Sequence, residues 1–193
     1  MKATIYFVRH GETDWNVEAR LQGQQDVPLN PLGRVQAEEA AARLRAIVPA
    51  YDCLAYVASP LTRTRDTMEL MRAALSLPAS DYGVDVRLKE LSFGAWEGLT
   101  WKEVRSREPK AAVARERDKW SFVPPGGESY AMLAERVAPV LADLSSDVVV
   151  VSHGGVARVL LALLCAVPHA RAPVVDIWQG KVLVMAGGRY EWA

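Results

Sequence analysis

Apolar residues fall into two kinds of pattern along this chain. Residues 4–8 and 148–152 are short, nearly continuous apolar runs rich in β-branched side chains, and each closes on a histidine followed by a glycine. Unbroken runs of this length fit strands buried on both faces. Residues 54–58, ending at Ser59-Pro60, make a third such run. Between them the spacing is helical. Leu32, Val35, Leu44, Ile47 and Val48 mark a helix opened by Asn30-Pro31, a capping residue and a first-turn proline. Leu61, Met68, Met71 and Leu75 recur at intervals of seven, three and four, which places them on one helical face. Leu133, Val137, Val140, Leu141 and Leu144 predict another helix, with Pro139 expected to kink it. Residues 156–167 read as a buried core helix. Residues 101–120 read as a charged helical segment able to cover a site.

Strands alternating with helices imply right-handed βαβ units. The predicted architecture is a three-layer α/β/α sandwich around a mainly parallel sheet. After Pro173 the pattern changes to short runs at 174–178, 182–185 and 189–192, broken by Gln179-Gly180-Lys181 and Gly187-Gly188. These predict antiparallel strands added to the sheet edge. A chain of 193 residues without repeats or low-complexity segments fits a single domain over residues 1–193.

Charge and composition narrow the function. Lys plus Arg and Asp plus Glu both number 23, so no global field draws the chain to nucleic acid or to an anionic membrane. An anionic substrate must then be held by a few local arginines. The two cysteines, Cys53 and Cys165, lack a paired spacing and read as small buried hydrophobes in a reducing compartment. The amino-terminal run from Met1 lacks the pattern of a signal peptide, and residues 156–167 are too few for a span of about 20. The expected location is the cytoplasm.

Arg9-His10-Gly11 and Ser152-His153-Gly154 each set a histidine at the carboxyl end of an apolar strand, the edge at which open α/β sheets bind ligands. If the two strands are neighbours, both imidazoles face one crevice. The glycine after each can take a positive φ and bring backbone N–H groups to an anion. The remaining histidine, His169, lies in a loop and reads as a surface residue. The Gly-x-x-x-x-Gly-Lys-Ser/Thr spacing of a P-loop is missing, and histidine and cysteine show no clustered ligand spacing. No metal and no cofactor are expected.

The motifs extend well beyond the two histidines. Arg9-His10-Gly11-Glu12-Thr13 is followed by Trp15-Asn16, Leu21-Gln22-Gly23, Asp26-x-Pro28-Leu29 and Gly33-x-x-Gln36-Ala37. Further on come Ser59-Pro60-Leu61-x-Arg63-Thr64-x-x-Thr67, Leu88-x-Glu90-x-x-Phe93-Gly94-x-Trp96-Glu97-Gly98, Pro125-Gly126-Gly127-Glu128-Ser129 and Ser152-His153-Gly154-Gly155. In this order the blocks resemble the histidine phosphatase superfamily, which includes the cofactor-dependent phosphoglycerate mutases, over nearly the whole chain.

The resemblance implies roles. His10 resembles the nucleophile, and Arg9 and Arg63 the arginines that clamp the phosphoryl oxygens, for which a guanidinium fork is suited. His153 resembles a further donor across the phosphoryl group. Asn16 and Gly154 complete the cradle, and Gln22 and Gly23 match the loop beside the substrate. An alkoxide leaving group needs a proton. Composition alone leaves Glu12, Asp14, Asp26, Glu90 and Glu97 as candidate acids; the resemblance selects Glu90, with Glu12 orienting the nucleophile. Arg20 and Arg34 could reach substrate, but each reads more readily as a surface charge, and Arg65 reads as solvent-facing. The compact Phe93–Gly98 stretch resembles the phosphatase branch, including the α-ribazole phosphatase type. The implied activity is hydrolysis of a small phosphorylated metabolite, with mutase activity or a silent phospho-ligand module as alternatives. Trp96, Trp101, Trp120 and Phe122 are candidates for either a substrate wall or the core.

Overall fold

The computed structural model describes residues 3–193; Met1 and Lys2, where the run read for signal character begins, lie outside the described residues. In chain order the elements are β1 (Ile5–Arg9), α1 (Asp14–Val17), α2 (Pro31–Ile47), β2 (Ala55–Ala58), α3 (Thr62–Ala74) and β3 (Gly83–Val84). They continue with α4 (Trp101–Arg107), α5 (Pro109–Arg117), α6 (Tyr130–Asp143), β4 (Val148–Ser152), α7 (Gly154–Cys165), β5 (Leu183–Ala186) and β6 (Arg189–Trp192). The six strands form one sheet in the order β3-β2-β4-β1-β5-β6. The pairings from β3 to β1 are parallel, and β5 and β6 add antiparallel at one edge.

The unbroken valine run of β4 serves two cores at once. Val148 and Val150 pack with Ile5 and Phe7 against α6 and α7. Val149 and Val151 pack with Val8 and Ala58 against α2 and α3. Successive strand side chains point to opposite faces, so a strand covered on both sides must be apolar throughout. The result is the expected α/β/α sandwich.

The helices depart from the expected pattern in instructive ways. In α2 the buried positions are Gly33, Ala37, Ala40, Ala41 and Leu44, while Leu32, Val35 and Ile47 are exposed. Small residues bring α2 close to α3, so alanines rather than large aliphatics form the contact face. Asn30 caps this helix by accepting from Gly33 N–H at 2.9 Å. Helix α6 runs through Pro139, an exposed position, and is not broken there. Helices α4 and α5 divide the 101–120 segment at Pro109 and carry a separate small core of Leu21, Trp96, Val104 and Ala112.

Residues 174–178 are not a strand. A 3-10 turn occupies Ala172–Val174, and the extended stretch after it meets the sheet only at a bridge between Arg9 and Gln179. Two of its carbonyls accept from side chains. Arg158 Nε donates to Val175 O at 2.9 Å, and Arg9 Nη1 donates to Ile177 O at 2.9 Å. Cys53 is exposed rather than buried, and Cys165 is half-buried. Among the described residues no helix is long and apolar enough to cross a membrane.

Candidate active site

The register of β1 and β4 pairs Arg9 with Ser152. The next residue on each strand, His10 and His153, therefore leaves the sheet at the same level. Their ring centroids are 5.3 Å apart at an interplanar angle of 59°. His10 N–H donates to Ser152 O at 2.9 Å, which extends the ladder to His10 itself.

His10 Nδ1 sits 2.8 Å from Gly11 O. A carbonyl only accepts, so Nδ1 carries the proton and Nε2 keeps its lone pair. Burial, then Arg63 and Arg9, hold the His10 imidazole well below its ordinary pKa, against a smaller opposing effect of the Gly11 hydrogen bond. The ring is neutral at neutral pH. His153 is fully buried, with Nε2 2.8 Å from Ser59 Oγ. Burial, Arg63, His10 and Arg9 lower its pKa as well.

The two expected clamping arginines are anchored by their ends. Arg63, on the first turn of α3, donates through Nη1 to Gln25 O at 2.7 Å and through Nη2 to Gly23 O at 2.8 Å. Both contacts hold the 22–25 loop over the site. Burial lowers the Arg63 pKa and, with Arg158 next in weight, brings Arg9 down to about 10. Both remain cationic at neutral pH. Thr67, one turn beyond Arg63, accepts from Gly11 N–H at 3.0 Å and donates to Arg63 O at 2.7 Å, which ties the histidine corner to α3.

The cleft at this edge is lined by Arg9, His10, Asn16, Gln22, Gly23, Arg63, Glu90 and Gly154, eight of the nine residues expected there. His153 is buried and does not reach the cleft surface. Glu90 Oε1 accepts from its neighbour Leu91 N–H at 2.8 Å and from Gly155 N–H at 3.1 Å. A Cβ on Gly155 would lie 2.2 Å from that Oε1, so only glycine lets the carboxylate rest on the helix start. Gly11 and Gly154 do not adopt positive φ, contrary to expectation. Gly11 serves by close approach instead, since a Cβ there would meet Gly33 O at 2.1 Å. Glu12 faces away from the cleft, its Oε1 accepting from Asn30 Nδ2 at 3.0 Å.

Among the described residues, four buried side-chain atoms lack a hydrogen-bond partner: Arg9 Nε, Gln22 Oε1, Arg63 Nε and His153 Nδ1. An unpaired buried polar group is costly, and all four gather around His10. Two are guanidinium donors. The amino-terminal end of the 12-residue α7 opens at Gly154 beside them, and helix starts favour anions. Among the described residues no three of His, Cys, Asp and Glu cluster as metal ligands.

Comparison with known proteins decides the family. Residues 5–193 match the model of the histidine phosphatase superfamily, branch 1. The chain belongs to that family. It is 37% identical over 184 residues to a glucosyl-3-phosphoglycerate phosphatase of Mycobacterium tuberculosis, covering 89% of this chain and 79% of that protein. A metal-independent phosphoserine phosphatase of Arabidopsis thaliana is 37% identical over 163 residues, 81% of this chain and 66% of that protein. The solved structure of the mycobacterial glucosyl-3-phosphoglycerate phosphatase with VO3 aligns at a TM-score of 0.82 with 33% identity, covering 99% of this chain and 96% of that one.

This histidine phosphatase site contains residues that the sequence reading passed over. Arg158 and Tyr130 line the cleft, and so does Arg20, for which both a surface charge and a reach to substrate were open. Arg20 is already committed to Glu18 at 2.5 Å and Gly98 O at 2.8 Å. Arg158 carried a signal, as the single charge in the apolar 156–167 run. Gln179 carried none. The aromatic candidates resolve mostly to the core: Trp96 is fully buried and stacks on Phe122 at 5.5 Å. Leu21, Leu91, Phe93 and Tyr130 supply the cleft wall instead. Trp120 stands behind Tyr130 and stacks on the exposed His169 at 4.0 Å.

Proposed function

We propose that this chain hydrolyses phosphate monoesters of small metabolites through a phosphohistidine on His10. The observation that carries the reading is a neutral His10, with its Nε2 lone pair free, among buried guanidinium atoms that lack partners. Arg9 Nε and Arg63 Nε suit two of the three phosphoryl oxygens, and the Asn16 amide and Gly154 N–H suit the third. Phosphoryl transfer depends mainly on such positioning and charge stabilisation. In the first step an N–P bond forms at His10 Nε2 while the ester O–P bond breaks, and Glu90 gives its proton to the departing oxygen. In the second, Glu90 takes a proton from water, whose oxygen attacks phosphorus and returns His10 with release of inorganic phosphate. His153 supports the site from behind, its charge-free ring held on Ser59.

The domain is read as one unit over residues 1–193. The balanced charge argues against nucleic acid as a partner. The free cysteines fit a reducing, cytoplasmic setting.

A phosphate-release screen tests the activity, with glycerate and sugar phosphates as first substrates by analogy with the mycobacterial relative. Release should persist in EDTA, because arginines supply the charge that metals supply elsewhere, and acid quenching should trap phosphoprotein that His10→Ala abolishes. Turnover that vanishes with EDTA and returns with Mg²⁺ or Zn²⁺ overturns the reading.

A further inference from the structure

Asn16 belongs to the proposed cradle only if its amide presents nitrogen to the cleft, since an oxygen there would repel a phosphoryl oxygen. Three donors converge on one atom of that amide: Thr13 N–H at 3.1 Å, Thr13 Oγ1 at 3.2 Å and Gln179 Nε2 at 3.1 Å. A main-chain N–H can only donate, so the atom facing Thr13 is Oδ1, and Nδ2 is left for the cleft. The same logic orients Gln179. Its amide faces two acceptors, Asn16 Oδ1 and the His10 carbonyl, the latter also at 3.1 Å. Only an NH₂ group satisfies both.

We infer that Gln179 is a positioning residue for catalysis. One NH₂ group ties the backbone of the nucleophile to the amide of the cradle, and so sets where Asn16 Nδ2 stands relative to His10. Gln179 is itself held there by the segment that failed to become a strand. Its bridge to Arg9, and the bond from Arg9 Nη1 to Ile177 O, lace residues 177–179 to the end of β1. Arg9 thus anchors by one nitrogen the segment that delivers Gln179, while its Nε remains without a partner in the cradle. The inference rests on the reading that Asn16 donates to a phosphoryl oxygen.

Orthovanadate affinity, measured in a double-mutant cycle with Gln179→Met and Asn16→Ala, tests it. Methionine keeps the size of glutamine and removes both donors. Gln179→Met should weaken vanadate binding and lower kcat/KM by about tenfold, the scale of one charge-assisted contact, with no comparable fall in thermal stability. In the Asn16→Ala background the same change should cost less than about twofold, because its route is gone. Losses that multiply, or no loss from Gln179→Met, overturn the inference. If Asn16→Ala leaves vanadate affinity unchanged, the reading of Asn16 fails first and the inference falls with it. Should the variants not fold, side-chain amide NMR of the wild-type protein reads the same point: vanadate should shift the NH₂ resonances of both Asn16 and Gln179, and an unmoved Gln179 signal overturns the proposal.

Discussion

His10 and His153 stand with ring centroids 5.3 Å apart, both buried and both facing the same arginine, Arg63. Two imidazoles so close to guanidinium groups are stable together only while neutral. The arrangement keeps the proposed nucleophile unprotonated, and it makes the fold sensitive to acid.

That sensitivity has a definite sign. In the native protein both histidines titrate well below the ordinary value of 6.5, so below that pH the unfolded chain binds more protons than the native one. Stability is full above 6.5 and falls as pH drops from there toward the native pKa values, by up to about 1.4 kcal/mol per pH unit for each histidine. Denaturant melts at about pH 7.5 and about pH 5.5 should show the loss, and His153→Gln should remove about half of the slope. Equal midpoints at both pH values in the wild type would contradict the neutral-pair assignment.

The role proposed for Glu90 depends on the leaving group. General acids contribute about 10²–10⁴-fold where the departing oxygen needs a proton. Glu90→Gln should slow phosphoenzyme formation from an alkyl phosphate by that order, and from p-nitrophenyl phosphate far less. Single-turnover measurement is required, because the proposed mechanism also has Glu90 activate water in the second step. Equal losses for both substrates in the first step would move suspicion to another carboxylate.

Gly155 should imitate that phenotype without touching the carboxyl group. Its added Cβ would stand 2.2 Å from Glu90 Oε1, whereas one on Gly154 meets Arg158 Nη1 at 3.4 Å. Gly155→Ala should therefore lower alkyl phosphate turnover by about tenfold or more while sparing p-nitrophenyl phosphate. Gly154→Ala should show no such dependence on the leaving group. A Gly155→Ala enzyme that handles both esters like the wild type would mean that the acid does not rest on the start of α7.

Much of this site was legible in one dimension because its parts come as local motifs. The β1 and β4 runs each had to be apolar on both faces, and each ended on His-Gly, so their ends marked the ligand edge before the pairing was known. Arg63 and Thr67 were readable together as parts of one motif block. The 174–178 run was misread because its apolar residues suit a strand, whereas in the fold its Val175 and Ile177 carbonyls accept from Arg158 and Arg9 and it meets the sheet only through the bridge at Gln179. The partners of those carbonyls lie more than 15 residues away in sequence, out of reach of local pattern.

Local order along the chain determined most of the strands and helices, though not the 174–178 segment, along with which strand ends carry His-Gly and which family the blocks resemble. These follow from periodicity, capping and short-range spacing, all of which act between near neighbours. Only the tertiary structure decided that β1 and β4 pair in register, that His10 keeps its proton on Nδ1, and that His153 stands behind the cleft wall. It alone brought Gln179 to Asn16 across 163 positions and set Gly155 under Glu90 across 65. The physical reason is that hydrogen-bond direction and burial depend on which atoms share a few ångströms of space, and chain order does not specify that distance for residues so far apart.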